Sequence, residues 1–187
     1  MQKYWRDYLF LFLIAGTVVF LDQWTKGLIR QNLAIGEVYR PDSVLSQFVR
    51  IVHWKNMGAA FGIFQQMGKI FMMLSFVVGA FIIFYFPRVP RQDWIVRLAM
   101  ALLLGGAVGN LIDRLNQGYV TDYISILNFP VFNVADLSIS TGVVILFLGM
   151  WRQEQVKKTS EPASLENQES LHSDRKLKAI PEEESGE

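Results

Sequence analysis

Four aspartates stand where an otherwise apolar chain meets its polar segments: Asp22, Asp113 and Asp136 at the ends of uncharged stretches, and Asp122 between the last two. Two carboxyls brought together have a definite chemistry. Mutual repulsion and partial desolvation raise one pKa, so near neutral pH the pair shares a proton and titrates as a unit. The ionised member can take a proton from water while the protonated member donates to a carbonyl oxygen, which hydrolyses a peptide bond without metal or cofactor. That route suits a chain with no Cys and only two His, His53 and His172, far apart. Cysteine nucleophiles, thiolate metal sites and disulfides are excluded, and a histidine zinc site or Ser-His pair is disfavoured. His53 is expected at the surface or interface. Asp122 and Asp136 form the candidate pair. They lie too far apart in sequence for one helix face, but Pro130 lets the chain return and set the two carboxyls side by side. Spacing permits this without requiring it, and leaves structural ion pairing or a proton relay open.

Other polar residues gather beside the same apolar sequence. Asn56, Asn110 and Asn133 could line a site or simply bond turns and helix ends. Arg114 could neutralise Asp113 or lie over the carboxyl pair. Asp22 and Lys26 stand at i and i+4 on a helix, the spacing of a local ion pair. Gly105, Gly106 and Gly109 give one helix a small-residue face for close packing.

These residues need elements to hold them. The 187 residues are 51% hydrophobic with a mean hydropathy of +0.25, which points to the bilayer rather than to a water-soluble domain. A net charge of +1 with scattered basic residues lacks the footprint of a nucleic-acid binder. Tyr8 to Leu21, Ile70 to Pro87, Leu98 to Ile112 and Leu137 to Trp151 carry no charge. Each reads as a membrane span, although a core of about 30 Å needs about 20 helical residues, so polar residues must be drawn in at the ends. A soluble bundle would show polar helix faces that these stretches lack, and the first lacks the cleavage site of a secretory signal. The expected class is an all-α membrane protein with four transmembrane helices, spanning about 6–24, 69–87, 95–114 and 134–152, and a small extracytoplasmic β-rich segment. Gln47 to Lys55 suggests the strand and Asn56 to Gly62 a glycine- and alanine-rich turn. Trp5, Trp24, Trp94 and Trp151 are placed as interfacial anchors, and loop charges favour both termini in the cytoplasm. The membrane domain is expected to cover 1–153 and a disordered cytoplasmic tail 154–187. Alternating spans put Asp22, Asp113 and Asp136 at the same outer face, where an unpaired carboxylate costs up to about 3 kcal/mol and a shared polar pocket is favoured.

At these residues the chain resembles the bacterial lipoprotein signal peptidases, or signal peptidase II family. The resemblance rests on Asp22-Gln23-Trp24-Thr25-Lys26, Asn56-Met57-Gly58-Ala59-Ala60-Phe61-Gly62, Gly109-Asn110-Leu111-Ile112-Asp113-Arg114, Val120-Thr121-Asp122-Tyr123-Ile124 and Phe132-Asn133-Val134-Ala135-Asp136, in family order and spacing. It implies that Asp122 and Asp136 are catalytic, with Asn56, Gly58, Asn110, Arg114 and Asn133 lining or supporting the site and Asp22, Lys26 and Asp113 as structural polar residues. No metal or cofactor is implied. The implied substrate is a prolipoprotein cut before a diacylglyceryl-modified cysteine, at a site near the outer face of the inner membrane, with sensitivity to globomycin; a monomer among membrane lipids is expected, although the sequence does not fix the oligomeric state. A small transporter would need polar residues through the full depth of a span, and the inner halves here are apolar. A noncatalytic adaptor would not depend on both aspartates.

Overall fold

The computed structural model describes residues 5–40, 48–58 and 68–152. The expected tail and Ala59 to Gly62 of the outer motif lie outside these residues. Contacts divide the chain after Leu146, and residues 147–187 form a second unit, described only through 152.

Four helices are long and apolar enough to cross a membrane: α1 (Trp5–Asn32), α2 (Gly68–Tyr85), α3 (Trp94–Gln117) and α4 (Val134–Arg152). A helix satisfies its own backbone in lipid, which is why these uncharged stretches fold this way. Buried fractions separate their roles: 56% of the α3 span is covered, against 17%, 17% and 22% for α1, α2 and α4. Helix α3 is therefore the core element, and the other three expose Phe, Leu, Val and Met side chains such as Phe20, Phe76 and Phe84.

Helix α1 runs beyond the span expected from sequence, to 28 residues or about 42 Å. Its additional residues carry Lys26 and Arg30, whose charges find carboxylates on α3 instead of lipid. Helix α2 passes into a 3-10 turn at Phe86–Arg88, where Pro87 removes a backbone donor. Helix α3 ends at Gly118, whose φ of 79° suits the left-handed cap and whose N–H bonds the Arg114 carbonyl at 3.1 Å.

Three antiparallel strands, β1 (Val38–Tyr39), β2 (Val49–Asn56) and β3 (Val120–Ile126), pair in the order β1-β2-β3. The register sets Trp54 opposite Asp122 and Asn56 opposite Val120, with an irregularity between Ile51 and Trp54. The expected strand is thus found with its ends shifted by one or two residues. After β3 the chain turns at Leu127, the single described non-glycine residue with positive φ, 48°. It returns through Pro130 so that Phe132 bridges Ile124, with backbone bonds of 2.8 and 3.0 Å. That bridge delivers the next residue, Asn133, to the start of α4.

His53 departs from expectation. It is only 4% exposed, in the middle of β2, with Nδ1 2.8 Å from the Leu33 carbonyl. Its imidazole is buried because β2 lies between β1 and β3 and its side chain folds toward the end of α1.

Candidate active site

Asn133 and Asp136 open α4 with a reciprocal cap. The Asp136 N–H donates to Asn133 Oδ1 at 2.9 Å, and the Asn133 N–H donates to Asp136 Oδ2 at 3.2 Å. This is the capping-box arrangement, with Asn at the cap and Asp three residues on. Asp22 of α1 adds a third cap by accepting the Ala135 N–H at 3.0 Å. The start of α4 is therefore tied both to itself and to α1.

The same Asn133 reaches the other carboxyl. Its Nδ2 donates to Asp122 Oδ1 at 2.7 Å, while Asn56 Nδ2 donates across the sheet to Asp122 Oδ2 at 2.8 Å. Asn110 Nδ2 donates to Asp136 Oδ1 at 2.8 Å. All four carboxyl oxygens of Asp122 and Asp136 thus receive an N–H, and Asn133 touches both residues. Three asparagines from β2, α3 and the α4 cap converge on the pair, which three separate motifs bring together.

Burial and charge shape this site. Asp122 is 1% exposed, and that burial, reinforced by the nearby Asp136 charge, pushes its carboxyl from the ordinary 3.8 up to about 7. Bonds from Asn56 and Asn133 and the charge of Lys26 oppose the shift. Arg114 is close enough to feel the charges of Asp136, Asp122 and Asp113. Its Nη2 donates to the Gly58 carbonyl at 3.4 Å, its guanidinium lies 5.4 Å from the Phe71 ring centre, and its buried Nε finds no partner among the described residues.

A cavity of about 570 Å³ opens onto these groups. Asn56, Gly58, Asn110, Arg114 and Asp136 form its polar part, and Phe71, Leu74, Val78, Leu103, Leu137 and Ile139 are among the side chains of its apolar wall. Asp136 faces the cavity directly. Asp122 is absent from the lining and sits one hydrogen bond back, behind the amide of Asn56.

Asp22, Lys26 and Asp113 form a neighbouring buried cluster. Lys26 Nζ lies 2.8 Å from Asp22, 3.1 Å from Asp113 and 3.0 Å from Asn110 Oδ1, with all three charged side chains fully covered. The pair expected at i and i+4 is present, but it is part of a larger set. Gln23 Nε2 bonds Asp22, the Gly109 carbonyl and Asp113; Arg30 reaches Asp113 at 3.3 Å; and the Thr121 N–H donates to Asp113 at 3.0 Å. The last bond anchors the residue before Asp122. Gln23 and Arg30 were not singled out from sequence. The signal for Arg30 is its spacing: Asp22, Lys26 and Arg30 fall on one helix face at successive i+4 steps.

Membrane-length helices around a cavity lined by Asp136, with the buried Asp122 behind it, define an integral membrane protein with a carboxyl site, and the proteins similar to it make it an enzyme. Two solved structures, each described as a bacterial membrane enzyme studied by the in meso method, share the fold. One has a TM-score of 0.73 at 31% identity, covering 79% of this chain and 90% of its own; the other 0.67 at 32%, covering 75% and 91%. A family model described as signal peptidase (SPase) II matches residues 14–152. The lipoprotein signal peptidase of Halalkalibacterium halodurans is 38% identical over 156 residues, 81% of this chain and 98% of that relative. That of Moorella thermoacetica is 39% identical over 134 residues, 72% and 87% of the two chains. The chain belongs to the signal peptidase II family and is a peptidase.

Proposed function

We propose that this protein is an aspartyl endopeptidase that removes the signal peptide from bacterial prolipoproteins, cutting before the diacylglyceryl-modified cysteine, with Asp122 and Asp136 as its catalytic pair. The observation that carries this reading is the convergence of Asn56, Asn110 and Asn133 on two carboxyls, Asp122 buried and Asp136 half-buried, at the polar end of an apolar cavity. Each carboxyl oxygen accepts one N–H, which leaves lone pairs free for a shared proton and a water. Asp122, with its carboxyl near 7, holds the shared proton with its partner close to neutral pH. The ionised carboxyl of the pair draws a proton from water as it attacks the scissile carbonyl. The protonated one donates to the carbonyl oxygen, giving the tetrahedral intermediate, and the leaving amine then recovers a proton from the pair. Arg114 holds the developing negative charge and Gly58 allows the substrate backbone a close approach.

The apolar wall supports the substrate assignment, because a lipid-modified signal peptide presents acyl chains and an apolar helix to it. The enzyme works as a monomer in the inner membrane, both termini in the cytoplasm and the site near the outer face. Residues 154–187 then form a cytoplasmic tail beyond the membrane domain of 1–153.

The test is mass spectrometry of the products when purified protein in detergent is given a diacylglyceryl-modified prolipoprotein. A product beginning at the lipidated cysteine, formed equally with a chelator and blocked by globomycin, supports the reading. Cleavage elsewhere, or cleavage abolished by the chelator, contradicts it.

A further inference from the structure

Among the described residues Lys26 is the cation hydrogen-bonded to an asparagine of the site, and its three N–H groups are all engaged. Two are held by Asp22 Oδ2 at 2.8 Å and Asp113 Oδ2 at 3.1 Å, and the third points at Asn110 Oδ1 at 3.0 Å. An ammonium donates and never accepts. Asn110 must therefore turn its oxygen toward Lys26 and its Nδ2 toward Asp136 Oδ1, the observed 2.8 Å bond. Asn133 Nδ2, already donating to Asp122, also reaches Asn110 Oδ1 at 3.2 Å. The other asparagines are fixed in the same manner. Asn56 Oδ1 accepts the Gly58 N–H at 2.9 Å, and Asn133 Oδ1 accepts the Asp136 N–H at 2.9 Å. Backbone donors thus orient two amides, and a buried lysine, with the longer bond from Asn133 Nδ2 beside it, orients the third.

We infer that Lys26 is a positioning residue for peptide hydrolysis: held between Asp22 and Asp113, it locks the Asn110 amide so that Asp136 Oδ1 always receives an N–H. The inference rests on the aspartyl reading above. An Asn110 amide turned the other way would set its oxygen against Asp136 Oδ1. Two acceptors can meet there only around a proton, which takes the proton that hydrolysis needs.

Removing Lys26 alone leaves the buried Asp22 carboxylate without its ion-pair partner, so the test combines it with Asp22→Asn, whose amide oxygen can still accept the Ala135 N–H and which together with Lys26→Met keeps the charge of the cluster balanced. Adding Lys26→Met to it is expected to lower kcat about 10- to 100-fold, the usual effect of releasing an orienting partner, with little change in KM. In an Asp22→Asn/Asn110→Ala background the same Lys26→Met change is expected to cost no further kcat, because its effect passes through Asn110. Losses that multiply in that background, or an unchanged kcat in Asp22→Asn/Lys26→Met, overturn the inference. Should that variant fail to fold in detergent, Asp22→Asn/Lys26→Gln replaces it, and failure of both assigns Lys26 to holding the bundle and overturns the inference as well. Activity retained in Asp136→Asn would instead remove the aspartyl reading, a result separate from every arm of this cycle.

Discussion

At the scale of single residues, Asp122 sets the pH behaviour. Its carboxyl, pushed to about 7 by burial and by Asp136, loses its proton as pH rises through neutrality. The pair then lacks the proton it must donate, so kcat/KM is expected to fall on an alkaline limb near pH 7, measured as initial rates across pH. Stability follows the same sign. A carboxyl whose folded value lies above its unfolded one favours the fold at low pH, and that contribution is lost as pH rises from about 4 to about 7. Asp122→Asn, which carries no charge at any pH, is therefore expected to melt higher than the wild type at pH 8 and not at pH 4. Asn56→Ala removes an N–H that holds Asp122 ionised, so its alkaline limb should move to higher pH while kcat drops. The identities of these residues were legible in the sequence because each sits in a short motif beside an apolar stretch. Their connections were less so. Asn133 could be read as a turn residue, and its double attachment to Asp122 and Asp136 depends on Phe132 pairing with Ile124, a contact that no local pattern encodes.

At the scale of elements, the fit of α4 against α3 decides whether Asp136 sits correctly. A Cβ added at Gly106 would stand 2.5 Å from the Ala135 carbonyl oxygen, which is backbone and cannot turn aside. Gly106→Ala should push away the start of α4, with Asp136 the next residue after Ala135. Overpacking of this kind costs about 1–3 kcal/mol. The expected result is a lower Tm together with a lower kcat; Gly16→Ala, at a position with nothing within 4 Å, should change neither. The glycine face of α3 was legible from Gly105, Gly106 and Gly109, and so was its use for close packing. Which neighbour each glycine meets was not, because helix phase fixes a face but not a partner: Gly105 meets Val18 and Ala15 of α1, whereas Gly106 meets α4.

At the scale of the whole molecule, two polar clusters lie at opposite ends of α1 and α3, with apolar core between them. Away from the site, Asp7 is paired with Arg97 at 2.7 Å and with Arg91 at 2.9 Å, and Arg97 also donates to the Val89 carbonyl. Between the ends pack Leu11, Ala15, Ile82, Phe86, Met100 and Leu104. Asp7→Asn should weaken the fold by about 3–5 kcal/mol, because it removes the carboxylate facing the buried Arg97, yet leave kcat near wild type. A thermal melt beside a cleavage assay checks both. The four spans were legible because uncharged stretches of that length have few other uses. The overlong α1 was not, since Lys26 and Arg30 look like the wet end of a helix until their carboxylate partners on α3 are known. The burial of His53 was hidden for a related reason, as a polar residue in a strand gives no sign of which face will be covered. The measurement that bears most directly on the catalytic pair is cleavage of a diacylglyceryl-modified prolipoprotein by Asp122→Asn and Asp136→Asn, each confirmed as folded and membrane-inserted. Both should lose at least about 10³-fold in kcat, within the range attributed to acid–base groups. Substantial cleavage by either folded variant would contradict the assignment of these two aspartates.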